Sequence, residues 1–178
     1  MSTKPLILLV EDNRATQETL KRDFEALGVE VLAVPSAEEA WVFLESGKKL
    51  DVMILDFQLP GEDGPNFFRR IQRDPRFKKI PVVPFTALIA QDDVTSLSKV
   101  SNFVSSRPSE GDYHVSPIVS KKGREDVYKT PPELILSVGH ALQQNNVDRP
   151  APMKVALKLI VESLIEKMDT IDKKPGGQ

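Results

Sequence analysis

The sequence predicts an α/β protein, a doubly wound five-stranded parallel sheet with an extra helix at the carboxyl end. Three observations predict it. Short apolar runs alternate with amphipathic stretches from residue 6 to residue 86. The runs are near-continuous in apolar residues, as expected of strands covered by helices on both faces. The segments between them are long enough for parallel crossovers.

Each element follows from local pattern. Leu6–Val10 reads as a buried strand. Asn13 is placed to cap the next helix, where Leu20, Phe24 and Leu27 share a face at i, i+4, i+7. Gly28 stands where a glycine ends a helix. Val29–Val34 is the second strand. Ser36-Ala37-Glu38-Glu39 is a capping box, opening a helix with Ala37, Ala40, Trp41 and Leu44 on one side. Gly47 stops it. Val52–Asp56 is the third strand, Pro65–Asp74 a helix carrying Phe67, Phe68 and Ile71, and Ile80–Thr86 the fourth strand.

Beyond Thr86 the pattern is less regular. Val94, Leu97, Val100 and Val104 fit a helix, and residues 105–112 form a loop rich in Ser, Pro and Gly. Val115–Ser120 is the fifth strand. Its Pro117 has no N–H to give a ladder, which puts the strand at a sheet edge. Pro131 and Pro132 introduce a helix that buries Leu134, Ile135, Val138, Ala141 and Leu142. The expected organisation is one domain over 1–145 with a rearranged segment around 90–117, a linker at 146–152, a terminal helix over 153–170 and a flexible tail at 171–178. The terminal helix carries Met153, Leu157, Ile160 and Leu164 on one stripe, with Val161, Ile165 and Met168 beside it. That arc is wider than a two-stranded coiled-coil seam, and it fits either packing on the domain or a homodimer or partner contact.

Composition narrows the function classes. The chain has 178 residues, 40% hydrophobic and 28% charged, enough for one full core. A net charge of −2 supplies no field toward nucleic acid or an anionic membrane. There is no cysteine, so disulfides and thiolate metal sites are excluded; a cytoplasmic location is expected. The first apolar run, about five residues, is far short of the roughly 20 that span a bilayer. No Walker motif and no GxGxxG is present.

Chemistry concentrates at the strand ends. The first apolar run ends in Glu11 and Asp12, the third in Asp56, the fourth in Phe85-Thr86-Ala87. Open α/β sheets place their sites beyond the carboxyl ends of the strands. An acid after a strand is often a solvated turn or a helix cap. Three converging at one point repel, and a hard divalent cation relieves that repulsion. Mg²⁺ takes oxygen ligands and keeps several waters, so this set suits it.

Leu8-Leu9-Val10-Glu11-Asp12-Asn13, Asp56-Phe57-Gln58-Leu59-Pro60-Gly61-Glu62-Asp63-Gly64 and Phe85-Thr86-Ala87 resemble, in order and spacing, the receiver domain of bacterial response regulators. The resemblance covers roughly Pro5 to Gln144. It implies a flavodoxin-like strand order, 2-1-3-4-5. It also implies roles. Asp56 would accept a phosphoryl group from a histidine kinase or phosphotransfer protein. Glu11, Asp12, Asp56 and the backbone carbonyl of Gln58 would hold Mg²⁺. Thr86 would donate its hydroxyl to the phosphoryl group, and a lysine after the fifth strand would pair with it. The output would be a phosphorylation-dependent protein contact, with no direct binding of nucleic acid.

The chain departs from the family after Thr86. The lysine is expected about two dozen residues on and before a proline. Lys121 and Lys122 come roughly a dozen positions late, without the proline. Lys121 is favoured because Ile118-Val119-Ser120 leads straight into it; two solvated lysines in a loop is the plainer alternative. Ile118 occupies a position where the family usually has an aromatic, so either switching runs without one or Tyr113, His114 or Phe103 supplies it. Pro84 removes a ladder donor from a strand expected to be interior. These departures sustain a second reading, a pseudo-receiver that signals by binding without phosphorylation. A haloacid-dehalogenase-like phosphatase ranks third, since Gln58 stands where that class needs a second aspartate.

Overall fold

The computed structural model describes residues 3–87, 118–121 and 129–172. In chain order the elements are β1 (Leu6–Val10), α1 (Arg14–Ala26), β2 (Glu30–Val34), α2 (Ala37–Glu45), β3 (Val52–Leu55), α3 (Gly64–Arg73), β4 (Val82–Thr86), β5 (Val119–Ser120), α4 (Pro132–Gln144) and α5 (Ala151–Asp172). All paired strands are parallel, in the order β2-β1-β3-β4-β5. The expected helix through Val94 to Val104, the loop at 105–112 and residues 115–117 of the fifth strand lie outside the described residues.

Helix starts follow their capping chemistry. The side chains of Asn13, Ser36 and Asp63 accept hydrogen bonds from the N–H groups of Thr16, Glu39 and Asn66. Each satisfies a donor that has no intrahelical partner. Asp63 therefore starts α3 at Gly64, one residue before the expected Pro65.

Alternation along the strands divides the core into two clusters. Ile7, Leu9, Val83 and Phe85 pack with Leu20 and Phe24 of α1 and with Leu134, Val138 and Leu142 of α4. Leu8, Val10, Met53 and Leu55 pack with Ala40 and Leu44 of α2 and with Phe67, Phe68 and Ile71 of α3. Burying one such side chain is worth about 1.5–3 kcal/mol, so both faces of the central strands are held firmly. The edge strand β2 is the exception. It alternates, with Glu30 and Leu32 exposed and Val31 and Val34 buried, where a near-continuous apolar run was expected.

Pro84 does lie inside interior strand β4. It is the last residue of that strand in register with β3, opposite Leu55, and pairing with β5 begins one residue later at Phe85–Val119. The proline thus falls where one ladder hands over to the other. β5 is an edge strand, as expected from Pro117.

Several bounds differ from the expected ones. β3 ends at Leu55, so Asp56 is the first residue past the strand. β4 starts at Val82, not Ile80. α5 runs from Ala151 to Asp172, longer at both ends than 153–170. Pro152 is no obstacle in its first turn, where a backbone N–H is not used. No described helix is long and apolar enough to cross a membrane.

Candidate functional site

The parallel register assembles the site. Val10 lies opposite both Val34 and Leu55, and the pairing continues one residue further. The Glu11 N–H donates to the Val34 carbonyl (3.0 Å) and the Asp56 N–H to the Val10 carbonyl (3.0 Å). Across the sheet, Thr86 pairs with Ser120, and the Lys121 N–H donates to the Thr86 carbonyl (2.9 Å). Residues 11, 56, 86 and 121 therefore all stand at the carboxyl edge of strands β1, β3, β4 and β5.

Glu11, Asp12 and Asp56 each offer an oxygen within 4.8 Å of the others. Glu11 and Asp56 are buried, whereas Asp12 is open to solvent. Lys121, 6% exposed, reaches between the two buried acids. Its Nζ donates to Asp56 Oδ2 at 2.9 Å and to Glu11 Oε2, and lies 5.0 Å from the centre of the Phe85 ring. Of the two candidate lysines, Lys121 is the one brought to the acids; Lys122 lies outside the described residues.

Electrostatics follow from burial. Loss of water raises the Glu11 pKa from 4.5 to about 7; Asp56 pushes the same way, while Lys121 and the Asn13 N–H oppose it. Burial works against the Lys121 ammonium, yet Asp56 and Glu11 more than offset it and hold its pKa above the ordinary value.

The loop after β3 holds Asp56 in place. The Gln58 N–H donates to Asp56 Oδ1 at 3.1 Å, which sets residue 58 beside the carboxylate. Gly64 closes the loop, its N–H bonded to the Phe57 carbonyl at 3.0 Å. A Cβ on Gly64 would stand 2.2 Å from the Asp56 carbonyl oxygen and 2.6 Å from Phe57 Cα, so only glycine permits this approach. On the outside, Glu38 Oε1 accepts the Glu62 N–H (3.1 Å), and Glu62 pairs with Arg70 at 2.6 Å. Arg70 in turn lies 4.2 Å over the Trp41 ring. Trp41 packs edge-on against Phe77 (5.4 Å), half-buried against the same core cluster as Ala37, Ala40 and Leu44.

Reading the sequence missed this tether, because Glu38 and Glu62 are 24 residues apart and meet only when α2 lies against the loop. It also missed the Lys121–Glu11 contact. The resemblance paired the lysine with a phosphoryl group; in the structure its ammonium meets the carboxylates of Glu11 and Asp56. Thr86 is fully buried at the end of β4. Ile118 is half-buried and packs on the cluster beneath α2 and α3; Tyr113, His114 and Phe103 lie outside the described residues.

Comparison with known proteins agrees with this fold. The phosphate regulon transcriptional regulatory protein PhoB of Rhizobium meliloti is 35% identical over 83 residues, 47% of this chain but only 36% of its own length. Chemotaxis protein CheY1 of Helicobacter pylori is 29% identical over 101 residues, 55% of this chain and 82% of CheY1. The chain thus spans about a third of one relative and most of the other. Among solved structures, the Mn²⁺-bound form of response regulator Rcp1 matches with a TM-score of 0.55 at 21% identity, over 83% of this chain and 99% of that one. The family model for the response regulator receiver domain matches residues 7–103, more than half of the chain, and the protein belongs to that family.

Proposed function

We propose that this chain is a phosphoacceptor switch, phosphorylated on Asp56 by a histidine kinase or phosphotransfer protein and read by a downstream protein partner. The observation that carries the proposal is the meeting of Glu11, Asp12, Asp56 and Lys121 at one strand edge. The Asp56 carboxylate attacks phosphorus as the bond from phosphorus to the donor breaks, and the donor leaves with the electron pair. In-line transfer asks the protein mainly for position and charge. The Gln58 N–H and the Gly64 turn fix the nucleophile. Lys121 would follow the new phosphoryl oxygens once Asp56 carries them, and Thr86 would donate its hydroxyl.

The donor set fits Mg²⁺. It is all oxygen, carries net negative charge, and has one solvent-facing member, Asp12, which leaves room for retained waters. Glu11, Asp12, Asp56 and the Gln58 carbonyl would hold the ion, which when bound neutralises charge between an anionic nucleophile and an anionic phosphoryl group.

A second reading also has an observation behind it. Lys121 already bonds both buried acids, a contact that needs no phosphoryl group, and a pseudo-receiver that signals by binding alone is the alternative. One assay separates them. Incubated with acetyl phosphate and Mg²⁺, the protein is expected to gain one hydroxylamine-labile phosphoryl group, absent in Asp56→Asn and in EDTA. No adduct under these conditions moves the assignment to the pseudo-receiver.

A further inference from the structure

The loop that carries the Gln58 carbonyl is fastened at its ends by local bonds. The Gln58 N–H donates to Asp56 Oδ1, and the Gly64 N–H to the Phe57 carbonyl. The middle of the loop has no such support from within. It includes Pro60, which has no N–H to give, and Gly61, whose φ of +73° favours glycine. Among the described residues, the backbone of residues 59–62 makes one hydrogen bond, from the Glu62 N–H to Glu38 Oε1 at 3.1 Å. Glu38 stands in the first turn of α2, on a different element.

The turn at residue 61 is shaped to receive that carboxylate. A Cβ on Gly61 would stand 2.8 Å from Glu38 Oε1, so the carboxylate occupies the space a side chain would need. The N–H groups of Glu38 itself and of Glu62 hold the Glu38 carboxyl below its usual pKa, and it accepts these bonds as an anion. Helix α3 grips the same residue from the other side. Arg70 pairs with the Glu62 carboxylate at 2.6 Å and lies 4.2 Å over the Trp41 ring of α2. Glu62 is thus held by its N–H from α2 and by its side chain from α3.

We propose that Glu38 is a positioning residue for the metal site, pinning the loop so that residue 58 keeps its place beside the acid cluster. This rests on the reading of Glu11, Asp12, Asp56 and the Gln58 carbonyl as a Mg²⁺ site. Glu38 is not a member of that cluster and acts through the loop backbone. An unpinned loop spends part of its time out of place, and apparent affinity falls with the fraction that remains in place. One hydrogen bond of ordinary net strength corresponds to a loss of roughly fivefold. The grip of Arg70 on the Glu62 side chain remains, which keeps the loss partial.

Calorimetric Mg²⁺ titration of the full chain tests this, with Glu38→Ala and Glu38→Gln. Both remove the same charge, and only glutamine keeps an oxygen within reach of the Glu62 N–H. Glu38 is exposed, so circular dichroism should be unchanged in both. Glu38→Ala should bind Mg²⁺ roughly fivefold more weakly than wild type, and Glu38→Gln within about twofold of it. In EDTA, hydrogen exchange at the Glu62 amide, read by NMR, should quicken in Glu38→Ala and not in Glu38→Gln. Wild-type affinity in Glu38→Ala, at whatever rate that amide exchanges, would overturn the positioning role. Glutamine no better than alanine would overturn it too, since charge rather than the hydrogen bond would then be at work. A wild type that binds no Mg²⁺ would remove the metal site itself, and the positioning role with it.

Discussion

Replacing Glu11 with glutamine should stabilise the metal-free protein, and the gain should depend on pH. Burial first, and Asp56 second, raise the Glu11 pKa from 4.5 to about 7. A raised carboxyl pKa means that the folded state holds the proton more tightly than the unfolded chain. The stability contributed by that proton is fully present below pH 4.5 and is lost as pH rises through about 7. The gap between 4.5 and about 7 corresponds to about 3 kcal/mol at 1.36 kcal/mol per pH unit. Glutamine mimics the protonated acid and stays neutral, but it gives up the charged contact with Lys121. The net gain for Glu11→Gln at pH 8 is therefore about 1–3 kcal/mol, or roughly 3–9 °C in Tm for a chain of this size. At pH 5 most of it should vanish. Lys121 contributes nothing to this window, because its pKa is raised from 10.5 and it stays charged throughout. The assay is urea unfolding in EDTA at pH 5, 6, 7 and 8, followed by circular dichroism. Saturating Mg²⁺ should stabilise the wild type and narrow the gap, since a ligand of the folded state adds RT ln(1 + [L]/Kd). A difference that stays flat with pH, or a variant that becomes the less stable of the two at pH 8, would refute the reasoning.

Three further outcomes follow from particular contacts. Gly64→Ala forces a methyl to within 2.2 Å of the Asp56 carbonyl oxygen; it should cost about 2 kcal/mol or more and weaken Mg²⁺ binding, measured by calorimetry. Lys121→Gln removes a cation from between two acids; Mg²⁺ should bind several-fold more tightly while phosphorylation by acetyl phosphate slows at least tenfold. Asp23 accepts the N–H (3.1 Å) and hydroxyl (3.0 Å) of buried Thr130 ahead of α4; Asp23→Ala strands both donors and should cost about 1–3 kcal/mol in urea unfolding.

The sheet was legible because strands covered on both faces need long apolar runs, and helices between them need caps. Leu6–Val10 and the Asn13 cap stand where local pattern put them. The strand-end acids were legible for the same reason: a residue that follows a buried strand has only one end of the sheet to occupy. Direction along the carboxyl edge was harder. Nothing within the segment around Lys121 tells whether its ammonium meets Asp56 alone or Glu11 as well, since that contact spans 110 residues of chain. The same holds for the Glu38–Glu62–Arg70–Trp41 tether, which is tertiary throughout. At α5, hydrophobic pattern alone left docking on the domain and contact with a partner unresolved. Met153 and Leu157 are buried on the domain, whereas Met168 and Ile171 in the last turns are exposed.

The most direct measurement is a crystal structure of the protein with Mg²⁺ and beryllofluoride. Metal held by Glu11, Asp12, Asp56 and the Gln58 carbonyl is expected, with beryllofluoride on Asp56 and the Lys121 ammonium turned from the acids onto fluorine. Beryllofluoride absent from Asp56, with Lys121 still joined to both Glu11 and Asp56 in saturating Mg²⁺, would contradict a phosphoacceptor site.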